Sequence, residues 1–386
     1  MTSMQPKFNA QLGFLPDKSP LTTLPETFSS WEQAAHALPK LLLSDQLQVL
    51  LKDLPDFPVA KLVTKPTLER AMLLLSFIGH AYVWGGSKPA SILPASLAVP
   101  WYEVAQRLGR PPVLSYASYA LHNWKRLQPE RPVELGNIAL LQNFWGGIDE
   151  EWFILIHIDI EAKAIPAIAS LIPAQSAVAD NQPQRLLDAL QTIGSALEAM
   201  VRSLKRMPEH CDPFIYYNRV RPFIHGWNNN PSLPDGLLYE GVSAYQNKPQ
   251  CLRGETGAQS SIIPALDTLL EIEHADDPLK AYLLEMRNYM PPEHRDFLNR
   301  LAKGPSVRAF VIHEASRTPE LAAAYNACVR LIERFRAIHL QYAASYIHQQ
   351  AQTGQANPTE IGTGGTPFMR YLDKHKQETE RFLIDP

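Results

Sequence analysis

Residues 319–350 contain no glycine, and their one proline, Pro319, sits at the start. At 3.6 residues per turn, that stretch predicts one rod of about eight turns. Leu321, Tyr325, Cys328, Ile332, Phe335, His339, Tyr342 and Tyr346 fall on a single stripe of it. Glu320, Arg330, Glu333, Arg334, Arg336 and Gln341 occupy the other faces. The stripe therefore points inward, and a chain with such a rod folds around it. Pro319 costs nothing in the first turn, where its missing N–H would be unpaired anyway. His339 then faces the core two-thirds of the way along. A lone histidine on an apolar stripe is most often a hydrogen-bonded core residue, but imidazole is also a common metal ligand. Spacing alone leaves both readings open.

The rest of the chain reads as helix after helix. Apolar residues recur at helical spacing over 31–38, 41–54, 67–84, 101–108 and 113–128, then over 150–172, 184–206, 213–224, 259–273, 278–289, 292–303 and 307–314, with a last helix at 367–382. The 33 prolines fall largely between these stretches, where each ends or starts a helix. Residues 138–144 are the best strand or hairpin candidate. The Asn-, Pro- and Gly-rich run 228–255 predicts a long structured loop, the kind that in a compact domain is usually functional. The expected fold is all-α. A smaller, mainly helical N-terminal domain (residues 1–145) rests on a larger C-terminal helical bundle (residues 146–386), with a ligand site between facing helices.

Several function classes are disfavoured early. A net charge of −3 gives no electrostatic reason to expect nucleic acid or an anionic membrane surface. The most apolar run, 71–84, is too short for a bilayer, and residues 1–16 lack the apolar core of a signal peptide. Cys211, Cys251 and Cys328 are scattered, with no C-x-x-C spacing, which argues against a disulfide framework or zinc site and suits a reducing cytoplasm.

The segment Arg336-Ala337-Ile338-His339-Leu340-Gln341, followed by Gly362-Thr363-Gly364-Gly365-Thr366, resembles the C-terminal signature of the indoleamine 2,3-dioxygenase family. The resemblance covers about residues 95–381 in correctly ordered segments and implies that His339 is the proximal ligand of haem iron, with haem b inside the C-terminal bundle. Phe153 and His157 share a helix face as i and i+4, and on residues alone the pair reads as core packing. Indoleamine dioxygenases generally carry Ser at the His157 position. The more distant tryptophan 2,3-dioxygenases carry this Phe-x-x-x-His pairing on the oxygen-binding side, so the resemblance implies a histidine that accepts an indole N–H.

Arg221 stands six residues before Trp227 of a Gly-Trp pair, where the family has an arginine. Its fork can hold an amino-acid carboxylate bidentately, although a structural ion pair is the plainer reading. Tyr216 and Tyr217 replace a family Phe pair and imply a more polar pocket. Gly254-Glu255-Thr256-Gly257-Ala258-Gln259-Ser260-Ser261 opens a helix and resembles the Gly-rich segment that passes close to haem and substrate. Thr256 and Gly257 are thereby substrate-site candidates, and Glu255 departs from the usual Gly. Tyr116 and Tyr119 match a helix lining the indole pocket; aromatic stripes are more often core, though an indole also wants aromatic walls. Residues 362–366, with Thr363, resemble a mobile loop over the site. They lack the Lys-Ser/Thr ending of a phosphate loop.

The resemblance implies a haem enzyme that inserts both atoms of O2 into L-tryptophan or a related indole, with a separate electron donor. Other readings are a haem monooxygenase acting on a substituted indole, a haem-binding or sensing protein without turnover, and a helical structural protein.

Overall fold

The structure is a computed structural model that describes residues 8–276, 278–353, 363 and 368–384. It is predominantly helical, with four short strands among the described residues. Ile92–Leu93 pairs in parallel with Leu238–Tyr239, and Trp124–Arg126 pairs antiparallel with Ile138–Leu140.

The helix Ile148–Ala179 is the central wall. It is apolar nearly all round, as a helix buried on two sides must be. Ile154 and Ile158 enter one hydrophobic core, while Trp152, Ile156 and Ile160 enter another. The first core gathers residues from Leu15 to Phe144, the helix Lys65–Trp84 prominent among them, and takes in Phe223, Trp227 and Tyr239. The second is built on the helices Pro183–Lys205 and Pro319–Ala343. The proposed division at 145/146 falls just before the shared helix. Phe153 packs against both cores, so whatever surrounds it lies at their junction.

Glu150 fixes how the chain enters that helix. Its buried carboxylate accepts N–H groups from Phe144, Trp145 and Gly146 at 2.7, 2.8 and 2.9 Å. A loop that would otherwise bury three unpaired donors is thereby satisfied.

The rod expected at 319–350 forms as Pro319–Ala343, continues through a π turn at Ala344–His348, and resumes at Gln349–Thr353. Arg336 is a correction to its helical wheel. It is buried rather than outward, with Nη2 on Asp267 Oδ2 at 2.6 Å and Nη1 on Thr379 Oγ1 at 2.5 Å. His274 Nδ1 meets Glu378 Oε2 at 2.8 Å. Burial alone would raise the Asp267 carboxyl; Arg336 and His274 more than offset it and hold it below its usual value. This polar cluster pins the C-terminal helix Phe368–Glu380 across the rod. A helical wheel ranks arginine as solvent-facing, and only the later arrival of Asp267 and Thr379 reverses that.

Two further expectations change. Residues 113–128 do not form one helix: a π turn at Ala117–Leu121 gives way to the strand Trp124–Arg126. Asn123 stops the helix by exchanging two hydrogen bonds of 2.8 Å with the Gln142 backbone. Prolines do not always punctuate, either. Pro100 lies inside Ala95–Leu108, and Pro166 and Pro173 lie inside Ile148–Ala179.

Among the described residues no helix is long and apolar enough to cross a membrane.

Candidate active site

Two long helices present one histidine each. His157 lies on Ile148–Ala179, with Nδ1 2.7 Å from the carbonyl oxygen of Phe153. A carbonyl only accepts, so Nδ1 carries the proton and donates, leaving Nε2 as a bare lone pair. Burial lowers the His157 pKa, so the ring is neutral near pH 7.

His339 combines two properties that seldom coexist. Its ring is exposed by area, yet it sits deep enough that desolvation, with a smaller contribution from His157, lowers its pKa to about 4. Exposed area on a side chain so heavily desolvated points to open space beside it. The influence of His157 places that histidine within electrostatic reach. No hydrogen bond engages the His339 ring among the described residues. A satisfied core histidine looks different: His80 is fully buried, its Nδ1 donates to Phe223 O at 2.7 Å, and its Nε2 accepts from Leu114 N at 3.0 Å.

The walls near His157 are aromatic. Phe153 lies 4.7 Å from the His157 ring and 4.6 Å from Tyr216, centroid to centroid. Tyr116 meets His157 edge-on at 6.0 Å, and Tyr119 lies 6.4 Å from Phe153. Tyr119 is 1% exposed, and its hydroxyl has no hydrogen-bond partner among the described residues. Arg221 is fully buried, with its guanidinium carbon 5.4 Å from the centre of the Tyr217 ring. Burial lowers the Arg221 pKa, an effect that Tyr216 and Tyr217 partly oppose.

Two glycines bring the remaining segments together. A Cβ on Gly226 would stand 2.1 Å from Gly254 N, and one on Gly254 would stand 2.2 Å from Gly226 N. Only glycine allows this backbone-on-backbone crossing. It sets Glu255 beside the Arg221 segment, with Glu255 N donating to Ile224 O at 3.0 Å. Thr256 caps the short turn Gly257–Gln259, and a Cβ on Gly257 would meet nothing within 4 Å, so open space adjoins that backbone. Thr363 Oγ1 donates to Glu255 O at 2.5 Å. The rest of the expected covering loop, residues 362 and 364–366, lies outside the described residues.

Two residues escaped the sequence reading. Gln259 accepts from Tyr116 N at 2.9 Å and donates to Gly254 O at 2.8 Å, tying the tyrosine segment to the glycine crossing. Glu161, one turn beyond His157, is buried; its Oε1 accepts from Ser260 at 2.9 Å, and Tyr116 bears on the same carboxyl. Burial pushes Glu161 up to about 7 against those two neighbours. Gln259 and Ser260 stood inside the quoted glycine-rich motif, so position was available and partner was not.

No group of three or more His, Cys, Asp or Glu among the described residues could hold a bare metal ion. A haem needs only one axial protein ligand, and a neutral imidazole with exposed area and no hydrogen bond among the described residues fits that requirement. A cleft of about 500 Å3 opens near Cys211, Tyr342 and Tyr346. Neither histidine lines it, although Tyr346 touches Tyr216 at 5.8 Å.

Comparison with known proteins places the whole chain in one family. The profile of the family "Indoleamine 2,3-dioxygenase" matches residues 4–382, which extends the likeness through the N-terminal region. The chain is 38% identical over 378 residues to indoleamine 2,3-dioxygenase 1 of Rattus norvegicus, covering 95% of this chain and 92% of that protein. Indoleamine 2,3-dioxygenase 2 of Mus musculus is 34% identical, with the same two coverages. A 6-hydroxytryptophan 2,3-dioxygenase of Fusarium equiseti is 32% identical, over 93% of this chain and 92% of its own length.

Proposed function

The chain belongs to the indoleamine 2,3-dioxygenase family, and on that footing we propose that it uses haem b and O2 to open the indole ring of L-tryptophan or a related indole. Cleavage falls between C2 and C3 and gives an N-formylkynurenine-type product. The observation that carries this reading is a pair of neutral histidines within electrostatic reach of each other beside an aromatic cluster, neither Nε2 of His157 nor the His339 ring being hydrogen-bonded among the described residues.

His339 is the residue that would hold the iron, as proximal ligand. Haem bound there supplies the dioxygen chemistry that amino-acid side chains lack. The protein's own share is placement. Arg221 grips the substrate carboxylate with two parallel N–H bonds, and Phe153 with Tyr216 clasps the indole. Nε2 of His157 accepts the indole N–H, which fixes the ring's rotation and so the edge it presents. Tyr116, Tyr119 and Tyr217 complete the wall, while Thr256, Gly257 and Thr363 border the open side. An electron donor that keeps the iron ferrous, and a cytoplasmic setting for the three free thiols, belong to the same proposal.

A hydroxylated indole is a second substrate reading. It is favoured by the buried Tyr119 hydroxyl, which has no hydrogen-bond partner among the described residues, and by the Fusarium relative named for 6-hydroxytryptophan.

Haem-loaded, reduced protein should convert L-tryptophan to a product with a new near-ultraviolet band. The same assay with 6-hydroxytryptophan ranks the two substrates. His157→Ala removes the indole N–H acceptor and should lower kcat/KM roughly 10- to 100-fold, the scale of one buried hydrogen bond to substrate. It should leave kcat/KM for 1-methyltryptophan, which has no such proton, far less changed. Equal losses on both substrates would remove His157 from this role.

A further inference from the structure

We propose that the cleft beside Cys211 is a second binding site, separate from the candidate active site, and that it takes an aryl-alkyl ammonium ion: one positive charge carried on a short chain from an aromatic ring. The proposal goes beyond the functional reading above and does not rest on it.

The cleft has a volume of about 500 Å3, within the range of roughly 300–1,000 Å3 usual for small-molecule sites. Two aromatic rings wall it. Tyr342 and Tyr346 meet at 66° with their centroids 5.8 Å apart. The Tyr346 hydroxyl is spent on the carbonyl of Cys211 at 2.6 Å, so the ring is what this residue offers a ligand. Ile148, 55% exposed, adds an apolar edge. Such a wall suits a flat apolar body, and tyrosine faces also attract a cation.

The free charge in the cleft is negative. Asp149 and Asp212 both line it and are held side by side, with Asp149 Oδ1 accepting the Asp212 backbone N–H at 2.7 Å. Asp212 Oδ1 in turn accepts Phe214 N and Ile215 N at 2.9 and 3.1 Å. Each carboxylate keeps its other oxygen, and neither has an ion-pair partner among the described residues. The third acid, Glu209, is already paired with Arg206 at 2.9 Å, and His210 packs edge-on against Trp152 at 4.6 Å. No lysine or arginine is among the described residues that line the cleft. Two neighbouring carboxylates repel each other, and a cation between them turns that repulsion into attraction.

Cys211 is an independent sign of an absent occupant. It lines the cleft at 1% exposure, and its thiol makes no hydrogen bond among the described residues. The other two thiols are each engaged, Cys328 with Leu190 O at 3.3 Å and Cys251 with Asp235 O at 3.9 Å. Burial, and after it both aspartates, push the Cys211 thiol up, so their field reaches the deepest part of the cleft. Tyr346 is the partition from the active site: its ring lies 5.8 Å from Tyr216, which lies 4.6 Å from Phe153. Neither His157 nor His339 lines the cleft.

The test is calorimetric titration of the haem-loaded full chain at pH 7 with three ligands that share a ring and differ in charge: 2-phenylethylamine, 2-phenylethanol and 3-phenylpropionate. The amine should bind at least about 10-fold more tightly than the other two. Asp149→Asn combined with Asp212→Asn removes both charges but keeps the oxygens that accept backbone N–H groups, so the loop should hold its shape. That variant should weaken the amine roughly 10- to 100-fold, the worth of one charge-assisted hydrogen bond, and leave the alcohol unchanged. Tyr342→Ala, a change in the half-buried wall, should weaken amine and alcohol together. No amine binding, amine affinity equal to that of the alcohol, or amine affinity unmoved by the paired Asn variant overturns the site. Amine binding that survives the paired variant and is lost when L-tryptophan is added places the amine in the active site and overturns it as well.

Discussion

Replacing His339 with alanine should abolish haem retention while leaving the apoprotein folded. The expected drop in hemin affinity is at least 100-fold, because the single axial protein ligand is gone. Most buried substitutions of this size destabilise by opening a void, but His339 already borders one. Its ring makes no hydrogen bond among the described residues, so the change should cost the apoprotein about 1 kcal/mol or less. Hemin titration followed at the Soret band, with urea unfolding of the apoprotein alongside, separates the two effects. His339→Gly should recover colour when free imidazole is added. An unchanged haem spectrum in His339→Ala would reassign the ligand.

The second large effect concerns Arg221. Arg221→Lys keeps the charge and loses the fork, and should lower kcat/KM for L-tryptophan about 10- to 100-fold; Arg221→Ala should lower it roughly 100- to 1000-fold. Haem colour should persist in both. Tryptamine, which lacks the carboxylate, separates substrate recognition from structural damage, since its binding should barely respond to Arg221→Lys. Parallel losses for tryptophan and tryptamine would make Arg221 a structural residue. That control matters here because the side chain is fully buried against Tyr217.

Local periodicity made most of the helical fold legible. The rod that carries His339 follows from its apolar stripe, and the helix that carries His157 and the Lys65–Trp84 helix from long, nearly uninterrupted apolar runs. What the sequence could not disclose was pairing. Arg336 looks solvent-facing until Asp267, 69 residues earlier by chain and adjacent in space, turns it inward. Residues 113–128 carry a helical pattern, but burial on all sides and the Asn123–Gln142 lock end the helix early. Pro100, Pro166 and Pro173 are breakers by local rule, yet each lies inside a helix, the first buried and the other two exposed.

The site divides in the same way. His157 and Phe153 were legible as one face of a helix, and their 4.7 Å contact follows from that. That the two histidines come within electrostatic reach of each other was not, because His157 and His339 lie 182 residues apart in the chain. Glu161 and Gln259 acquire meaning only through Tyr116, Ser260 and Gly254. Glu255 was visible as a departure from glycine, while its burial could be seen only once the neighbouring backbone was in place.

The most direct measurement of the central claim is the mass of the product formed from L-tryptophan by haem-loaded, reduced protein under isotopically labelled O2. A ring-opened product carrying both labelled oxygen atoms is the predicted result. A hydroxylated product with one labelled atom, or no product from protein that has taken up its full complement of haem, would contradict it.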